Sequence, residues 1–349
     1  MIDNDLQKFI GMNTMTVREA MQRIDDNTCG ILFIVGPDDI LMGCLTDGDV
    51  RRYLLSAGKL EDNVIQAANT SPRTAKNIEE AAMLFHKKNY IAIPIVDEAF
   101  RVVSVYLGNG EIEIPKVSLR VPVVINAGGK GTRLDPYTRV LPKPLIPVGE
   151  LPIIEHIMKR FQRYDCNDFH IIVNYKKQIL KGYFAENEGT YNIAWYDEEK
   201  PLGTGGGLSL LKGQIHETFF FTNCDNLLLA NYDSILRFHK EKHNAITMVC
   251  AYKNLQIPYG VVEMGLNGAI QGMKEKPQMS FLTNTGIYVV EPEVLEEMEE
   301  NVAIGFPDVV IQQKARGRNV AVYPVSENDW LDMGQLPELE NMRKRLYGE

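Results

Sequence analysis

The stretch VVINAGGKGTRLDPYTRVLPKPLIPVG, Val123 to Gly149, sets an apolar strand-like run directly against Gly128, Gly129 and Gly131, then adds two arginines and two lysines. Glycines let backbone N–H groups approach an anion closely, and an arginine fork binds two phosphate oxygens at once. Lys143, held between Pro142 and Pro144, supplies a second point charge on a stiffened segment. From Val121 to Glu150, Lys130, Arg133, Arg139 and Lys143 face only Asp135 and Glu150, although the whole chain carries a net charge of -9. Positive charge is thus gathered at one loop, in a combination that suits a triphosphate. Two common phosphate-binding patterns fail here. In G-x-x-x-x-G-K-[ST], Lys130 would have to be followed by a hydroxyl and is followed by Gly131; in G-x-G-x-x-G counted from Gly129, the last position is Leu134.

Working outward, 349 residues exceed the usual one-domain size, so two domains are expected, and 45% apolar with 24% charged residues is ordinary soluble composition. The acidic balance argues against nucleic acid or anionic membrane as partners, which need a basic face. The start, MIDNDLQKFIGM, lacks a basic region followed by an apolar one, and no apolar run approaches the roughly 20 residues of a spanning helix. Cys29, Cys44, Cys166, Cys224 and Cys250 are scattered and form no C-x-x-C pair. A cytoplasmic chain with free thiols and no zinc site is expected.

The first third contains a repeat. Ile31 to Val50 begins with a strand-like run, turns at Gly36-Pro37-Asp38 and resumes with apolar residues from Ile40 to Leu45. The segment IAIPIVDEAFRVVSVYL repeats it 61 residues later, so that Val35 aligns with Val96, Gly43 with Ser104 and Leu45 with Tyr106. TVREAMQRI and NIEEAAMLFHKKN precede the two copies as helix-compatible segments. Residues 7 to 112 resemble a pair of CBS domains, modules that pack as twins and often bind adenosine-type nucleotides. The match is best at Gly43-Cys44-Leu45-Thr46-Asp47-Gly48-Asp49. The resemblance implies that Thr46 approaches phosphate and Asp49 the ribose of a regulatory nucleotide. The second copy has Leu107 and Gly110 at those positions, so at most one such site is expected. The competing reading is that Asp47-Gly48-Asp49 only turns the chain and caps a helix starting near Val50.

Gly108 to Arg120 reads as a linker, which divides the chain into residues 1–115 and 116–349. Beyond it, strand candidates VPVVINA, DFHIIVNY, TFFFTNCD and NAITMVCAY alternate with helix candidates PIIEHIMKRFQRY and LLANYDSILRFHKEK. Such alternation predicts an α/β, Rossmann-like sheet, mixed but mainly parallel, with ligands outside the carboxyl ends of its strands.

Gly128-Gly129-Lys130-Gly131-Thr132-Arg133-Leu134, Pro136, Thr138 and Pro142-Lys143-Pro144-Leu145-Ile146-Pro147-Val148 stand in an order and spacing that resemble the signature of sugar-1-phosphate nucleotidyltransferases. Further matches follow: Lys200 to Leu208, Asp225 after Phe219-Phe220-Phe221-Thr222-Asn223-Cys224, Tyr259 to Glu263, Glu275-Lys276-Pro277, Asn284-Thr285-Gly286 and Trp330-Leu331-Asp332-Met333-Gly334. The resemblance implies that Arg133, Lys143 and Lys276 are catalytic, and that Ala127, Gly128, Gly129, Gly131, Thr132, Pro201, Gly203 and Thr204 bind the nucleotide. It assigns Gly260, Glu275 and Asn284 to the sugar and Asp225 and Asp332 to Mg²⁺, an ion that prefers one or two carboxylates plus phosphate oxygens. Guanylyl-transferring members often read Pro-Leu-Gly-Thr-Ala-Gly-Ala-Leu; this chain has Gly205 and Gly207 for the alanines, expected to weaken a helix start by about 1 kcal/mol each.

The chemistry so implied is in-line attack of a sugar-1-phosphate oxygen on the α-phosphorus of a nucleoside triphosphate, with pyrophosphate leaving. Neither a general base nor a cysteine or histidine is required. GTP with a hexosamine-1-phosphate, as in CBS-fused enzymes of bacterial nonulosonate synthesis, is the first expectation. Mannose-1-phosphate with GTP comes next, then thymidylyl or uridylyl transfer, and a homo-oligomer is expected. The alternative from another class is a non-catalytic nucleotide or sugar-nucleotide sensor.

Overall fold

The computed structural model describes residues 6–27, 29–87, 90–107, 118–186 and 191–347. They fall in two compact units, Met1–Pro115 and Lys116–Glu349. Gly110 and residues 108–117 of the linker reading lie outside the described residues.

In the first unit, β1 (Ile10–Met12) and α1 (Val17–Asn27) lead into the hairpin β2 (Ile31–Val35) and β3 (Leu41–Thr46), followed by α2 (Asp47–Leu55). Then α3 (Ile78–Lys87) leads into the hairpin β4 (Ala92–Val96) and β5 (Val102–Leu107). The repeat holds to the residue. Ile31 pairs with Thr46 and Val35 with Leu41; 61 residues on, Ala92 pairs with Leu107 and Val96 with Val102. Both hairpins slip register at the equivalent place, Ile34/Val35 and Ile95/Val96. Ile40 forms an antiparallel bridge with its own equivalent, Arg101, which puts a pseudo-two-fold axis between the copies. Every residue of β2 and β4 is buried, so one hairpin alone would leave its core face wet. The two hairpins solve this by sharing a core of Phe33, Leu41, Val96, Val102 and Val105.

The second unit begins with β6 (Val123–Asn126), then α4 (Tyr137–Val140), β7 (Pro147–Val148), β8 (Leu151–Pro152), α5 (Ile153–Gln162), β9 (Asp168–Val173), α6 (Lys177–Ala185), β10 (Asn192–Asp197), β11 (Phe219–Asn223) and β12 (Asn226–Leu228). It continues with α7 (Tyr232–Glu241), β13 (Ile246–Gln256), β14 (Val261–Met264), β15 (Ile270–Lys274), β16 (Gln278–Val290), α8 (Pro292–Glu296), α9 (Phe306–Ala315), β17 (Val320–Val325), β18 (Trp330–Asp332) and α10 (Leu336–Tyr347). Seven strands order as β10-β9-β6-β11-β16-β13-β17, and only β16 runs against its neighbours. The sheet is mixed and mainly parallel. Its strands are apolar on both faces, as central strands must be when both faces are covered. Val123, Ile125 and Phe220 enter one core; Val124, Phe219 and Phe221 enter the other.

This register places the chemistry. Asn223 of β11 lies beside Asn126 of β6, which lies beside Ile172 of β9. The loops leaving these strands therefore share one end of the sheet. In a separate two-stranded sheet β18 pairs with β12, with Asn226 opposite Asp332.

Phe221 is fully buried where the parallel and antiparallel parts of the sheet meet, with its ring 5.8 Å from that of Tyr288 and 4.8 Å from that of Phe306. Phe221→Ala is expected to lower stability by about 3–5 kcal/mol in equilibrium urea denaturation.

Candidate active site

The loop after β6 opens with Ala127, which is buried and donates its N–H to Ile172 O at 2.8 Å. That donor is engaged by the sheet. Gly128 N–H donates to Asn126 Oδ1 at 3.3 Å, while Gly129, Lys130, Thr132 and Arg133 are exposed. Gly131 takes φ +64°, and a Cβ there would lie 2.9 Å from Thr138 Cγ2 and 3.0 Å from Lys143 Cβ. Thr138 Oγ1 closes the turn by donating to Gly131 O at 3.0 Å. Only glycine meets both demands, left-handed backbone and absent side chain.

Lys143 is ion-paired with Asp225, two residues past the end of β11, and both side chains are nearly buried. Asp225 O accepts from Met333 N–H at 2.9 Å, which docks the segment after β18 against it and sets Asp332 beside the pair. Burial and the negative charge of Asp225 raise the pKa of Asp332, against the opposing pull of Lys143. Burial alone would lower the pKa of Lys143; the charges of Asp225 and Asp332, with the hydrogen bond to Asp225, outweigh it and hold the ammonium above its ordinary value. One lysine thus balances two carboxylates, leaving a deficit of one positive charge.

Glu198, absent from the residues chosen on sequence, is the other buried carboxyl of this end of the sheet. It stands three residues before Pro201, and only 5% of its surface is exposed. A Cβ on Gly128 would lie 2.8 Å from its Oε2, and one on Gly207 would lie 2.7 Å from its Oε1. Oε1 has no hydrogen-bond partner. Burial pushes the pKa up to about 7, opposed only by a hydrogen bond from the Leu202 backbone. Its place inside a run of charged residues, Asp197 to Lys200, reads in sequence as a solvated turn; the signal lies in its closeness to the glycine loop.

Asn126 joins the two loops by donating to the carbonyls of Gly203 at 3.3 Å and Thr204 at 3.2 Å. Pro201, Gly203 and Thr204 are exposed, and Thr204 Oγ1 accepts from Phe306 N–H at 3.0 Å. The weakened helix expected from Gly205 and Gly207 is corrected here: Gly206–Leu211 forms a 3-10 turn, and the glycines answer crowding. A Cβ on Gly205 would lie 2.9 Å from the backbone N and Cα of Phe306, with no side chain to move aside.

Asn284-Thr285-Gly286 forms a bulge, because the register with β13 jumps from Val249↔Ile287 to Cys250↔Asn284. Asn284 donates to Tyr288 Oη at 2.6 Å and accepts from Gly286 N–H at 3.0 Å, so its amide is engaged within the bulge. Gly286, at φ +77°, leaves room for the amide groups of Asn223 and Asn226. Glu275 abuts Gly260, where a Cβ would meet its Oε2 at 2.8 Å, and Lys276 follows at φ +44°. These three are exposed on an arm. Among the described residues no hydrogen bond or ion pair joins them to Lys143 or Asp225.

In the first unit Thr46 and Asp49 form a capping box on α2: Thr46 Oγ1 accepts from Asp49 N–H at 3.2 Å, and Thr46 N–H donates to Asp49 Oδ2 at 2.9 Å. Arg52 pairs with Asp49. The helix begins at Asp47, earlier than the start expected near Val50. Both side chains nevertheless border a cavity of about 380 Å³ that also takes Arg52, Arg73, Tyr90 and Pro94, and so draws on both repeats.

Burial pushes the thiols of Cys44 and Cys166 up to about 11 and those of Cys224 and Cys250 to about 12, so none is a ready nucleophile. Among the described residues no group of three or more His, Cys, Asp or Glu forms a metal cluster, and no helix is long and apolar enough to cross a membrane.

A mainly parallel α/β sheet whose strand ends carry an open glycine loop, a buried lysine and two adjoining carboxylates belongs to the phosphate-handling class. Residues 122–347 match the family model described as Nucleotidyl transferase, and the chain belongs to that family. It is 34% identical over 183 residues to a bifunctional protein GlmU of Methanococcus maripaludis, covering 51% of this chain and 42% of that one. It is 31% identical over 226 residues to a mannose-1-phosphate guanyltransferase of Pichia angusta, covering 61% and 60%. It is also 31% identical over 222 residues to a probable glucose-1-phosphate cytidylyltransferase of Bacillus subtilis, covering 57% and 86%. The chain thus spans about two- to three-fifths of the length of the first two relatives. Among solved structures, HddC of Yersinia pseudotuberculosis shares the fold with a TM-score of 0.51 at 19% identity, over 64% of this chain and 99% of that one.

Two outcomes follow from this geometry. Gly205→Ala is expected to cost about 1–3 kcal/mol, since its Cβ meets backbone; a denaturation midpoint equal to that of the unmodified chain would contradict the crowding. Glu198 binds its proton more tightly folded than unfolded, so stability should fall as pH rises from about 4.5 to about 7 and level off above. Glu198→Gln should remove that part of the slope, as read from denaturation midpoints across pH.

Proposed function

We propose that the chain is a sugar-1-phosphate nucleotidyltransferase that joins a nucleoside triphosphate to a sugar-1-phosphate and releases pyrophosphate. The observation that carries this reading is the convergence of Lys143, Asp225 and Asp332 on the sheet end that bears the glycine loop. The attacking phosphate oxygen is already anionic at neutral pH, so the residues have only to orient two anions and absorb charge. Gly129 and Arg133 face the triphosphate, and Lys143 sits where the α-phosphate meets the carboxylates. Lys276 holds the sugar phosphate and Glu275 a sugar hydroxyl. Asp225 and Asp332 fit Mg²⁺, because two adjoining carboxylates with one lysine between them leave a positive charge wanting. Bound there, the ion would supply neutralisation of the departing pyrophosphate.

GTP is the nucleotide favoured, and Glu198 is the reason. Guanine offers two adjacent donors on its pairing edge, N1–H and the N2 amino group, and a carboxylate accepts both. The unpartnered Oε1 of Glu198, bordered by Gly128 and Gly207, is a carboxylate with capacity to spare. A hexosamine-1-phosphate is the proposed acceptor, with mannose-1-phosphate next. The first unit is read as a CBS pair whose inter-repeat cavity, with Arg52 and Arg73, takes a regulatory nucleotide, and the setting is cytoplasmic.

Purified protein with Mg²⁺, each of five nucleoside triphosphates and a panel of hexose and hexosamine 1-phosphates should release pyrophosphate with one pair. No release from folded protein that still binds nucleotide would favour a sensor. Asp225→Asn and Asp332→Asn should each lower kcat by about 10²-fold or more. Glu198→Gln presents one donor and one acceptor, as uracil and thymine require, and should shift the kcat/KM ratio from GTP toward UTP or dTTP on the order of 10²-fold. An unchanged ratio would place base selection elsewhere.

A further inference from the structure

From Gly129 to Val140 the loop that bears the glycines has little burial of its own. Leu134 and Thr138 are the buried residues of that stretch, while Tyr137 is 39% and Val140 71% exposed. Its helix α4 is four residues long, too short to hold itself together in water. What keeps the loop in place comes from a neighbouring strand. Asn174-Tyr175-Lys176 joins β9 to α6 at the same end of the sheet, and this connection reaches both ends of the loop.

At the start, Tyr175 N–H donates to Gly128 O at 3.4 Å. At the far end, Thr138 O accepts from Tyr175 Oη at 3.4 Å and from Lys176 Nζ at 3.2 Å, which uses both lone pairs of that carbonyl. Lys176 Nζ also donates to Arg139 O. Leu141 N–H takes the Tyr137 carbonyl, so the lysine completes the next two carbonyls of α4, where a cation is favoured by the helix end. The backbone of Lys176 stands at φ +52° and ψ +31°, a left-handed conformation that residues with a β-carbon avoid, and its side chain makes no cap bond to α6. Glycine or asparagine would adopt it at less cost. A strained lysine whose ammonium is spent on another segment marks a position where the side chain itself is needed.

We propose that Lys176 is the positioning residue of the glycine loop. Its ammonium, helped by the Tyr175 hydroxyl, fixes Thr138 and Arg139 and so sets the opening in which Gly129 to Arg133 meet a polyphosphate. It acts through Thr138 and not by touching a ligand. Thr138 passes the constraint inward, because its hydroxyl donates to Gly131 O and a Cβ on Gly131 would meet both Thr138 Cγ2 and Lys143 Cβ. A shift of Thr138 therefore moves the wall that Gly131 and Lys143 share. The same connection also touches the other loop, since Asn174 Nδ2 donates to Glu198 O at 3.1 Å. Loss of the ammonium loosens the loop while the sheet beneath it stays folded. What concerns nucleotide here rests on the proposed reaction; what concerns the order of the loop does not.

The test uses the full chain with three substitutions at one position. Lys176→Met removes the ammonium and keeps the backbone strain, Lys176→Gly removes both, and Lys176→Arg keeps a donor. In hydrogen exchange, the Leu134, Arg139 and Leu141 amides, bonded to the carbonyls of Gly131, Pro136 and Tyr137, should exchange on the order of tenfold faster in the methionine and glycine variants. The amides of β11 should not change, and arginine should restore loop protection. Binding of GTP and of inorganic tripolyphosphate with Mg²⁺, read by isothermal titration, should weaken about tenfold in the same two variants. Lys176→Gly should nevertheless unfold at a higher denaturant midpoint than Lys176→Met, since glycine takes φ +52° freely. Binding would then follow the ammonium and not stability. Unchanged loop exchange in both variants would overturn the proposal, as would binding that rises with the midpoint until the glycine variant matches the unmodified chain. Faster loop exchange with unchanged binding would reduce Lys176 to a local cap. An unmodified chain that binds neither ligand would count against the proposed reaction, and exchange alone would then decide whether Lys176 holds the loop.

Discussion

A lysine and an aspartate that leave water together organise the second unit. Removing one partner of such a pair leaves a buried charge that costs about 3–5 kcal/mol, whereas the intact pair contributes little net stability. Its value is therefore positional. Lys143 comes from the proline-stiffened segment after the glycine loop, and Asp225 lies just past the central strand β11. Binding the two fixes where that loop can lie. The Asp225 carbonyl then docks Met333, which carries Asp332 in from a segment over a hundred residues away. Three groups distant in sequence share one place because each is held by a bond that cannot be broken cheaply.

The glycines around this place are governed by crowding more than by flexibility. Gly128 and Gly207 border the same carboxyl from two loops, and Gly205 lies against the backbone of Phe306. Close approach of two loops squeezes water from between them, and a carboxylate enclosed there loses solvation. That is the cause of the raised pKa of Glu198. A fold pays such a cost only where something is gained, and an acceptor with an unused lone pair is of use to a ligand that brings hydrogen-bond donors.

How much of this was legible in the sequence depends on the range of the interaction responsible. The 61-residue repeat was readable because each hairpin is local, and its apolar runs stand in the same register as its pairing. The mainly parallel sheet followed from alternating strand and helix patterns. Gly131 was readable as bare backbone in a phosphate loop; that it also needs left-handed backbone shows only in the fold. The ion pair was not: Lys143 reads as a free charge for phosphate, and nothing near it in the chain names Asp225. Glu198 was hidden for the same reason, its burial being the work of Gly128 and Gly207. Thr46 and Asp49 form the capping box that local spacing permits, and they also border the inter-repeat cavity, which no local pattern announces. Asn284, matched on its motif, turned out to hold a bulge together.

The second unit is thus built of two parts with different mechanical character. At the sheet end the groups are buried, paired and crowded, so their positions are set before any ligand arrives, and binding there costs little ordering. On the arm Glu275 and Lys276 are exposed, where few buried contacts make local opening easiest. In the proposed reaction, transfer between two anions rewards pre-set charge at the reacting phosphorus, where small misplacement is expensive. The acceptor side of that proposed reaction would have to admit and release a bulky sugar, and there compliance is an advantage.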